Sequence, residues 1–442
     1  MKKPVLVMMC ISVSILIVVS TFLVGFGKVS KSPDYLCDVS YDGYRLEKTV
    51  ILSRHNMRTP LVEKDSFLEK VTPYEWHKWT SEPGKLTERG YALEQKLGSS
   101  FRDYFLQEGL LSMNENPAAG QIRVYANSEQ RTVESADSFM KSLLPQQNIE
   151  VEFHNEVGQA DEAFSSVLSY TSEGYNADVV KQINKLYGKT IAGLADNYKA
   201  LEKVINITES EAFKNNEISH LSTKDTQYLF EQGRMPWLTG SLQIGYQISD
   251  TLICQYYEEG DDKNSGSFTA NVALKDWEKI GEIRDVFESV LFKTPLISNN
   301  IGYPILKELK SEIECDSRKI SFLSGHDANV ESSLTALGAA GYKLPNAIEK
   351  QAPVGCKLMF SKWIRESDGE SFWSVDLVYP SLEQIKDFST ISEKGPLVYP
   401  ITLSGVSRNK VGLYSDKDFK ELFDRVLKEH DEQYNRYCKD AA

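Results

Sequence analysis

The chain has 442 residues, more than a single domain usually contains, so we expect two domains or one domain with a large insertion. Apolar residues make up 41% and charged residues 26%, a balance typical of folded globular proteins rather than of disordered or fibrous ones. The formal net charge of −13 disfavours nucleic acid and anionic membranes as partners.

The first 27 residues differ in character from the rest of the chain. Lys2 and Lys3 precede an uncharged stretch from Pro4 to Gly27 that is rich in Val, Ile, Leu and Met. This stretch exceeds the roughly 7 to 15 residues of a signal-peptide core and reaches the ~20 residues that span a bilayer. Residues 1–27 are therefore predicted to be a cleaved signal peptide or a single-helix membrane anchor. Either alternative places the rest of the chain in the periplasm or another extracytoplasmic space.

Three segments share one pattern: a short β-branched or aromatic run, then a polar cluster, then apolar residues at helical spacing. They are residues 49–58, 122–139 and 320–338. Ser128 is a suitable N-cap for the second helix and Gly338 a suitable end for the third. Units of this kind predict an α/β fold with a mostly parallel sheet and helices on both faces.

The middle of the chain has a different pattern, because apolar residues recur there every three or four positions. We therefore expect a smaller, all-helical insertion domain at residues 156–310. It would separate two parts of the α/β domain, at residues 38–155 and 311–442. Residues 28–37 are predicted to be a linker.

Two further elements are predicted after the third unit. Runs of strand-like residues flank residues 367–370 and predict a β-hairpin. Residues 416–437 predict a closing helix.

The chain contains six histidines, and two of them stand at the ends of predicted strands. His55 lies next to Arg54 and near Arg58, and His326 is followed by Asp327. A histidine nucleophile for phosphoryl transfer needs cations around the phosphate oxygens and an acid that protonates the leaving oxygen. Asp327 is a candidate for this acid. The candidate phosphate ligands, which we call the anion cage, are Arg54, Arg58, Arg131 and His326.

Each candidate also has a structural interpretation. Arginines at strand ends usually form surface or salt-bridge contacts, and Arg131 by itself would usually be a solvated helix residue. Asp327 could serve only as the N-cap of a helix that begins at Ala328. His326 could be a hydrogen-bonded structural histidine.

A metal site is disfavoured, and no cofactor is expected. The sequence has no CxxC motif and no Cys/His cluster of the zinc type. A cationic cage would also repel a metal ion. The five cysteines outside the apolar segment are widely spaced and can form at most two disulfides, and the sequence assigns no pairing.

Three segments resemble signatures of the histidine acid phosphatases. They are SRHNMRTP at 53–60, NSEQRT at 127–132 and SGHDAN at 324–329. The resemblance covers most of the chain beyond residue 45. It implies a phosphoglycerate-mutase-like α/β domain with a helical second domain, and a small phosphorylated substrate. It also implies that His55 is the nucleophile and forms a phosphohistidine, that Asp327 is the proton donor, and that the anion cage binds the phosphate.

Differences within the family bear on the substrate. Asn56 stands where most relatives have glycine. The bacterial glucose-1-phosphatases, the group that the sequence resembles most, share this asparagine. Phytases of this branch tend to carry a lysine where this chain has Leu61 and Val62. The glucose-1-phosphatases place a glutamate over the pocket at the position that an ungapped alignment gives to Met235.

We therefore expect an exported acid phosphatase that acts on glucose 1-phosphate, other sugar phosphates or similar monoesters. A phytase or another inositol phosphate phosphatase of the same mechanism is the nearest alternative. A non-catalytic surface protein that binds phosphorylated ligands is a remoter one. Activity at acid pH is expected, because Asp327 can donate a proton only while it is protonated.

Overall fold

The computed structural model describes residues 34–62, 66–260, 267–391 and 394–439. The predicted signal peptide or membrane anchor at residues 1–27 lies outside these ranges. Within them, no helix combines the length and the apolar character needed to cross a membrane.

Ten strands and eleven α-helices occur in the described ranges. The strands are β1 (Asp34–Tyr35), β2 (Tyr44–Arg54), β3 (Ile122–Ala126), β4 (Gln227–Leu229), β5 (Trp237–Thr239), β6 (Ile320–Gly325), β7 (Lys357–Arg365), β8 (Ser371–Tyr379), β9 (Leu397–Pro400) and β10 (Tyr414–Ser415). The helices are α1 (Glu88–Gln107), α2 (Gln130–Leu143), α3 (Glu173–Gly193), α4 (Ala195–Ile205), α5 (Glu211–Lys214), α6 (Ser241–Glu259), α7 (Leu274–Phe292), α8 (Pro295–Glu314), α9 (Asp327–Ala336), α10 (Leu382–Lys386) and α11 (Asp416–Tyr434). Short 3₁₀ helices lie at Leu36–Asp38, Phe67–Lys70, Glu162–Phe164, Ile207–Glu209 and Phe388–Ile391, and a π-helical turn at Asn435–Lys439.

The main sheet has the order β1-β9-β8-β7-β2-β6-β3, and β10 pairs with β8. The strands β2, β6 and β3 are parallel to one another, as the three strand-loop-helix units predict. The other pairs are antiparallel, so the sheet is mixed rather than mostly parallel. The reason is the predicted hairpin: β7 and β8 are joined by a short turn, and strands joined in this way need no helical crossover. The α/β class is confirmed.

Helices cover both faces of this sheet. Alternate residues of a strand point to opposite faces, and the residues of β2 accordingly divide between two hydrophobic clusters. Ile51 packs in the cluster that contains Phe101 of α1 and Phe139 of α2. Val50 and Leu52 pack in the cluster that also contains residues of α8, α9 and α11. Because both faces are covered, every residue of β2 from Lys48 to Arg54 is buried.

Two predicted helix ends meet different outcomes. Gly338 follows α9 with a φ of +75°, a left-handed conformation that favours glycine after a helix, so this prediction is confirmed. The prediction for Ser128 is wrong, because α2 is capped at Glu129. The hydroxyl of Ser128 instead accepts a hydrogen bond from the backbone N–H of Asn155, at 3.1 Å.

The segment between β3 and β6 is mainly helical and contains α3 to α8, together with the small antiparallel pair β4 and β5. Its helices α6 and α7 pack against each other and supply charged residues to the site described below. The division of the chain into an α/β domain and a helical insertion domain stays a prediction. Part of the predicted linker is structured, because Tyr35 pairs with Leu397 of β9 and Leu36 is fully buried.

Candidate active site

The predicted site residues meet at one edge of the sheet, where the three parallel strands end. Arg54 lies opposite Gly325 in the pairing of β2 with β6. Beyond this pair the backbone N–H of His55 donates to the carbonyl oxygen of Gly325, at 3.0 Å. The same edge carries His326, and the ring centroids of the two histidines are 5.4 Å apart. Residues from the first and last sequence signatures are therefore face to face.

The ring of His55 has a defined tautomer. Its Nδ1 lies 2.8 Å from the carbonyl oxygen of Asn56. A carbonyl oxygen only accepts hydrogen bonds, so Nδ1 carries the proton and Nε2 carries the lone pair. The pKa of His55 lies well below its ordinary value. After burial itself, the groups that lower it are Arg131, His326, Arg54 and Arg58. The ring is thus neutral and able to act as a nucleophile through Nε2.

A buried polar triad, Asn56, Glu94 and Lys357, holds the peptide that orients His55. The side-chain amide of Asn56 donates to Glu94 Oε2 at 2.5 Å, and Lys357 Nζ lies 2.7 Å from Glu94 Oε1. A side chain at Gly355 would collide with this amide, because its Cβ would lie 2.7 Å from Asn56 Nδ2. Sequence reasoning missed Glu94 and Lys357, whose partners lie on distant elements.

Two arginines of the anion cage are held by buried carboxylates. Arg54 Nη1 lies 2.6 Å from Glu349 Oε1, and Arg58 Nη2 lies 3.2 and 3.0 Å from the two carboxylate oxygens of Asp250. The Nε–H of Arg54 is buried and has no hydrogen-bond partner among the described residues. The two arginines therefore form salt bridges, as their structural interpretation predicts. Arg54 nevertheless keeps its Nε–H as a donor without a partner among the described residues.

Arg131, in the first turn of α2, has the least compensated charge of the cage. Its Nη1 makes only long contacts, 3.4 Å to the carbonyl oxygen of Gly84 and 3.3 Å to Glu129 Oε2. Its Nε is buried without a partner among the described residues. Burial first, and then the charge of Arg58, lower the pKa of Arg131 to about 10. An anion beside Arg131 would stabilise the charged form of this side chain and raise its pKa.

His326 is also neutral, and it has the same tautomer as His55. Asn127 Oδ1 accepts from the backbone N–H of Asp161 at 2.7 Å, which fixes the amide so that Nδ2 donates to His326 Nε2 at 2.7 Å. The proton of His326 is therefore on Nδ1. Burial and Arg131 lower the pKa of His326 to about 3. Asn127 was not among the predicted site residues, although it begins the NSEQRT segment.

Asp327 is the first residue of α9, and His326 occupies the N-cap position. Capping a helix that begins at Ala328 therefore does not account for Asp327, although its Oδ1 accepts from the N–H of Ala328 at 2.9 Å. Its Oδ2 lies 2.8 Å from Arg284 Nη2 and 3.3 Å from Arg54 Nη2. Burial would raise the pKa of Asp327, but the two arginines outweigh burial and hold the pKa well below its usual value. Asp327 is ionised while the cage is empty of phosphate.

Arg284 of α7 is the residue that sequence reasoning missed most clearly. Its side chain is fully buried, and besides Asp327 it contacts Glu288 at 2.5 Å, Glu349 at 3.0 Å and Asp250 at 3.5 Å. A signal was present in the sequence. Position 284 falls four residues after Ile280 and three before Phe287, where the helical period of α7 requires an apolar residue.

The candidate site opens into a cleft of about 420 Å³. His55, Arg58, Arg131, His326 and Asp327 are among its lining residues, whereas Arg54 does not line it. The other lining residues are mostly apolar or aromatic and include Leu61, Val62, Phe164, Met235, Trp237 and Tyr246. None of the described lining residues is a lysine.

A second cleft of similar size lies at the opposite ends of β2 and β6. Three of its five described cationic lining residues pair with carboxylates: Arg45 with Glu47, Arg318 with Glu312 at 3.5 Å, and Lys362 with Asp316 at 3.9 Å. No predicted site residue lines it.

Comparison with known proteins identifies the family. The sequence model of the histidine phosphatase superfamily, branch 2, matches residues 45–379. The chain belongs to this family. Membership in the histidine phosphatases makes the protein a phosphomonoester hydrolase with a small phosphorylated substrate, as the three signatures imply.

Individual histidine phosphatases are similar over most of their length. A glucose-1-phosphatase of Salmonella typhimurium is 28% identical over 374 residues, which cover 84% of this chain and 89% of that protein. Phytase AppA of Escherichia coli is 26% identical over 402 residues, which cover 86% of this chain and 91% of that protein. The solved phytase of Citrobacter braakii has a TM-score of 0.79 at 24% identity and covers 88% of this chain and 98% of its own, which shows a shared fold.

Proposed function

We propose that the protein is an exported histidine acid phosphatase that hydrolyses sugar phosphates such as glucose 1-phosphate, or similar small monoesters, through a phosphohistidine on His55. The observation that carries this proposal is the convergence of two neutral imidazoles with buried guanidinium donors that lack partners among the described residues. A tetrahedral phosphate is the ligand that such donors match.

In the first step, the anion cage holds the phosphate and Nε2 of His55 attacks phosphorus. The bond between phosphorus and the ester oxygen breaks, and Asp327 transfers its proton to that oxygen, so that an alcohol leaves. In the second step, Asp327 takes a proton from a water molecule that attacks the phosphohistidine. The phosphorus–nitrogen bond breaks, phosphate is released, and free His55 is regenerated.

The proton on Asp327 accompanies phosphate binding. The carboxylate is ionised in the free site because Arg54 and Arg284 face it. A phosphate dianion adds negative charge beside the carboxylate and offsets the arginines, so the pKa of Asp327 rises. Lower pH favours this uptake, which supports the expected activity at acid pH.

The composition of the cleft favours a substrate with one phosphate. An inositol phosphate with several phosphates needs several further cations, whereas the described cleft lining has none outside the anion cage and His55 and includes Leu61, Val62 and Met235. The flat faces of Trp237 and Tyr246 suit packing against a sugar or aromatic ring.

A phytase-like activity is the second candidate. The similarity to phytase AppA over 86% of this chain favours it. The non-catalytic binder is the weakest alternative, because both the proposed nucleophile and the proposed proton donor are present. Export rests on the composition of residues 1–27.

The test is a substrate panel with the purified protein, using glucose 1-phosphate, other hexose phosphates and inositol hexakisphosphate, with His55→Ala as the control. We expect kcat/KM to be highest for a hexose monophosphate. A preference for inositol hexakisphosphate would favour the phytase alternative. Absence of hydrolysis of every ester would support the non-catalytic one.

A further inference from the structure

Arg284 contacts the proposed proton donor from a position that substrate cannot reach. Its side chain has no exposed surface, and it does not line the cleft. Its Nη2 nevertheless donates to Asp327 Oδ2 at 2.8 Å, closer than Arg54 Nη2 at 3.3 Å. Any effect of Arg284 on the reaction must therefore pass through Asp327 or another neighbour.

We propose that Arg284 is a positioning residue that holds the Asp327 carboxylate in place and keeps it ionised until phosphate enters the anion cage. This proposal rests on the proposed function, in which Asp327 is the proton donor. Nothing in the sequence signatures assigns a role to Arg284, which lies in α7.

In the free site, Arg54 lowers the pKa of Asp327 more strongly than Arg284 does. Bound phosphate changes this order. Arg54 and Arg131 belong to the anion cage, so a bound phosphate offsets their charges. Both arginines are shared with other acceptors: Arg54 with Glu349 and the carbonyl oxygen of Ala352, and Arg284 with Glu288, Glu349 and Asp250. Arg284 is the contacting cation that stays directed at the carboxylate while phosphate is bound.

Opposing groups also face Asp327. Glu288 and Glu331 oppose its ionisation, and burial raises the pKa of Glu331 to about 8, so that Glu331 is mainly protonated at neutral pH. His55 and His326 are neutral, as described above. Tyr246 and Cys356 lie within electrostatic range and stay neutral because burial raises the pKa of each. Among the described residues, the full positive charges in contact with Asp327 are therefore those of Arg54 and Arg284.

The sign of the effect distinguishes this role from a purely structural one. Arg284 favours the ionised form of Asp327, so removing its charge should raise the pKa of Asp327. Only the protonated form donates to a poor leaving group, so the alkaline limb of kcat should move to higher pH. A structural defect would lower the amplitude of the profile without moving this limb upward.

The experiment compares pH profiles of kcat for phenyl phosphate and for 4-nitrophenyl phosphate, whose better leaving group needs less protonation. For Arg284→Gln we expect the alkaline limb on phenyl phosphate to move upward by about 1 to 3 pH units, the range for loss of an adjacent opposite charge. The limb on 4-nitrophenyl phosphate should move less. Arg284→Lys keeps the charge and should restore a limb close to that of the wild type.

Two variants control for folding. Arg284→Gln with Glu288→Gln removes an ion pair without leaving a net charge, and it keeps the test available if the single variant does not fold. It should still show an upward shift, but a smaller one, because Glu288 opposes the ionisation of Asp327. Arg123→Gln also removes a guanidinium bound to several carboxylates, Glu152 at 2.9 Å and Glu312 at 2.7 Å among them, but outside the cleft. It should lower stability and leave the pH profile unchanged.

The outcomes separate the two proposals. An unmoved limb in Arg284→Gln or, if that variant does not fold, in the double variant would overturn the role of Arg284. A shift in Arg284→Lys equal to that in Arg284→Gln would also overturn it. Equal losses on both esters in Asp327→Asn would instead overturn the proton-donor assignment and with it the proposed mechanism.

Discussion

The buried polar triad behind His55, the proposed nucleophile, gives a quantitative prediction for Lys357→Met. Lys357 is 1% exposed and its partner Glu94 is fully buried, so the substitution leaves a carboxylate without its cation inside the protein. Breaking a buried ion pair from one side costs about 3 to 5 kcal/mol. The free energy of unfolding should fall by this amount at neutral pH.

The same substitution predicts a direction with pH. Burial raises the pKa of Glu94, while Lys357 and Asn56 lower it in part, so the net folded-state pKa lies above the unfolded value. A raised carboxyl pKa contributes stability that is present at low pH and lost as pH rises through the folded pKa. Without Lys357 that pKa rises further, so the deficit of Lys357→Met should shrink as pH falls and Glu94 takes up a proton.

Urea unfolding of the wild type and Lys357→Met at pH 7.5 and about pH 5 measures both effects. Lys362→Met is the matched control, because Lys362 lies on the same strand but makes only a 3.9 Å contact with exposed Asp316. It should cost less than about 1 kcal/mol at both pH values. A deficit of Lys357→Met that is equally large at both pH values would show that Glu94 takes up no proton in this range.

Three further predictions concern the site itself. Asp327→Asn should lower kcat on alkyl phosphates by about 10² to 10⁴ and lower it much less on 4-nitrophenyl phosphate, as steady-state kinetics with both esters will show. Arg131→Gln should weaken inhibition by inorganic phosphate by about 10- to 100-fold, because a charge-assisted donor is lost; unchanged inhibition would remove Arg131 from the anion cage. Treatment with EDTA should leave activity unchanged, since arginines offset the phosphate charge, and strong inhibition by the chelator would revive a metal-dependent mechanism.

The sequence predicted the part of the fold that positions the site. A β-branched run followed by a polar cluster identified the ends of β2, β3 and β6, and parallel pairing then brought His55 and His326 to one edge. It did not predict the extent of antiparallel pairing, because short terminal strands such as β9 and β10 have little pattern of their own.

The contacts that support the site were beyond local patterns. Lys357 and Glu94 are far apart in the chain, and nothing in either segment identifies the other as a partner. Arg284 contacts Asp327 from another helix, and only the interruption of an apolar helical face marked it. The residues of the anion cage could be selected from the sequence because each lies in a short signature, whereas the residues that contact them come from separate elements.

The most direct test of the account is to locate the phosphoryl group during turnover. Mixing the protein with excess 4-nitrophenyl phosphate, quenching in alkali and analysing the peptides by mass spectrometry should find phosphate on His55, and phosphorus NMR should place it on Nε2, because Nδ1 is held by the Asn56 carbonyl. His55→Ala should show neither the adduct nor turnover. Phosphate on another residue, or substantial turnover by His55→Ala, would contradict the central claim.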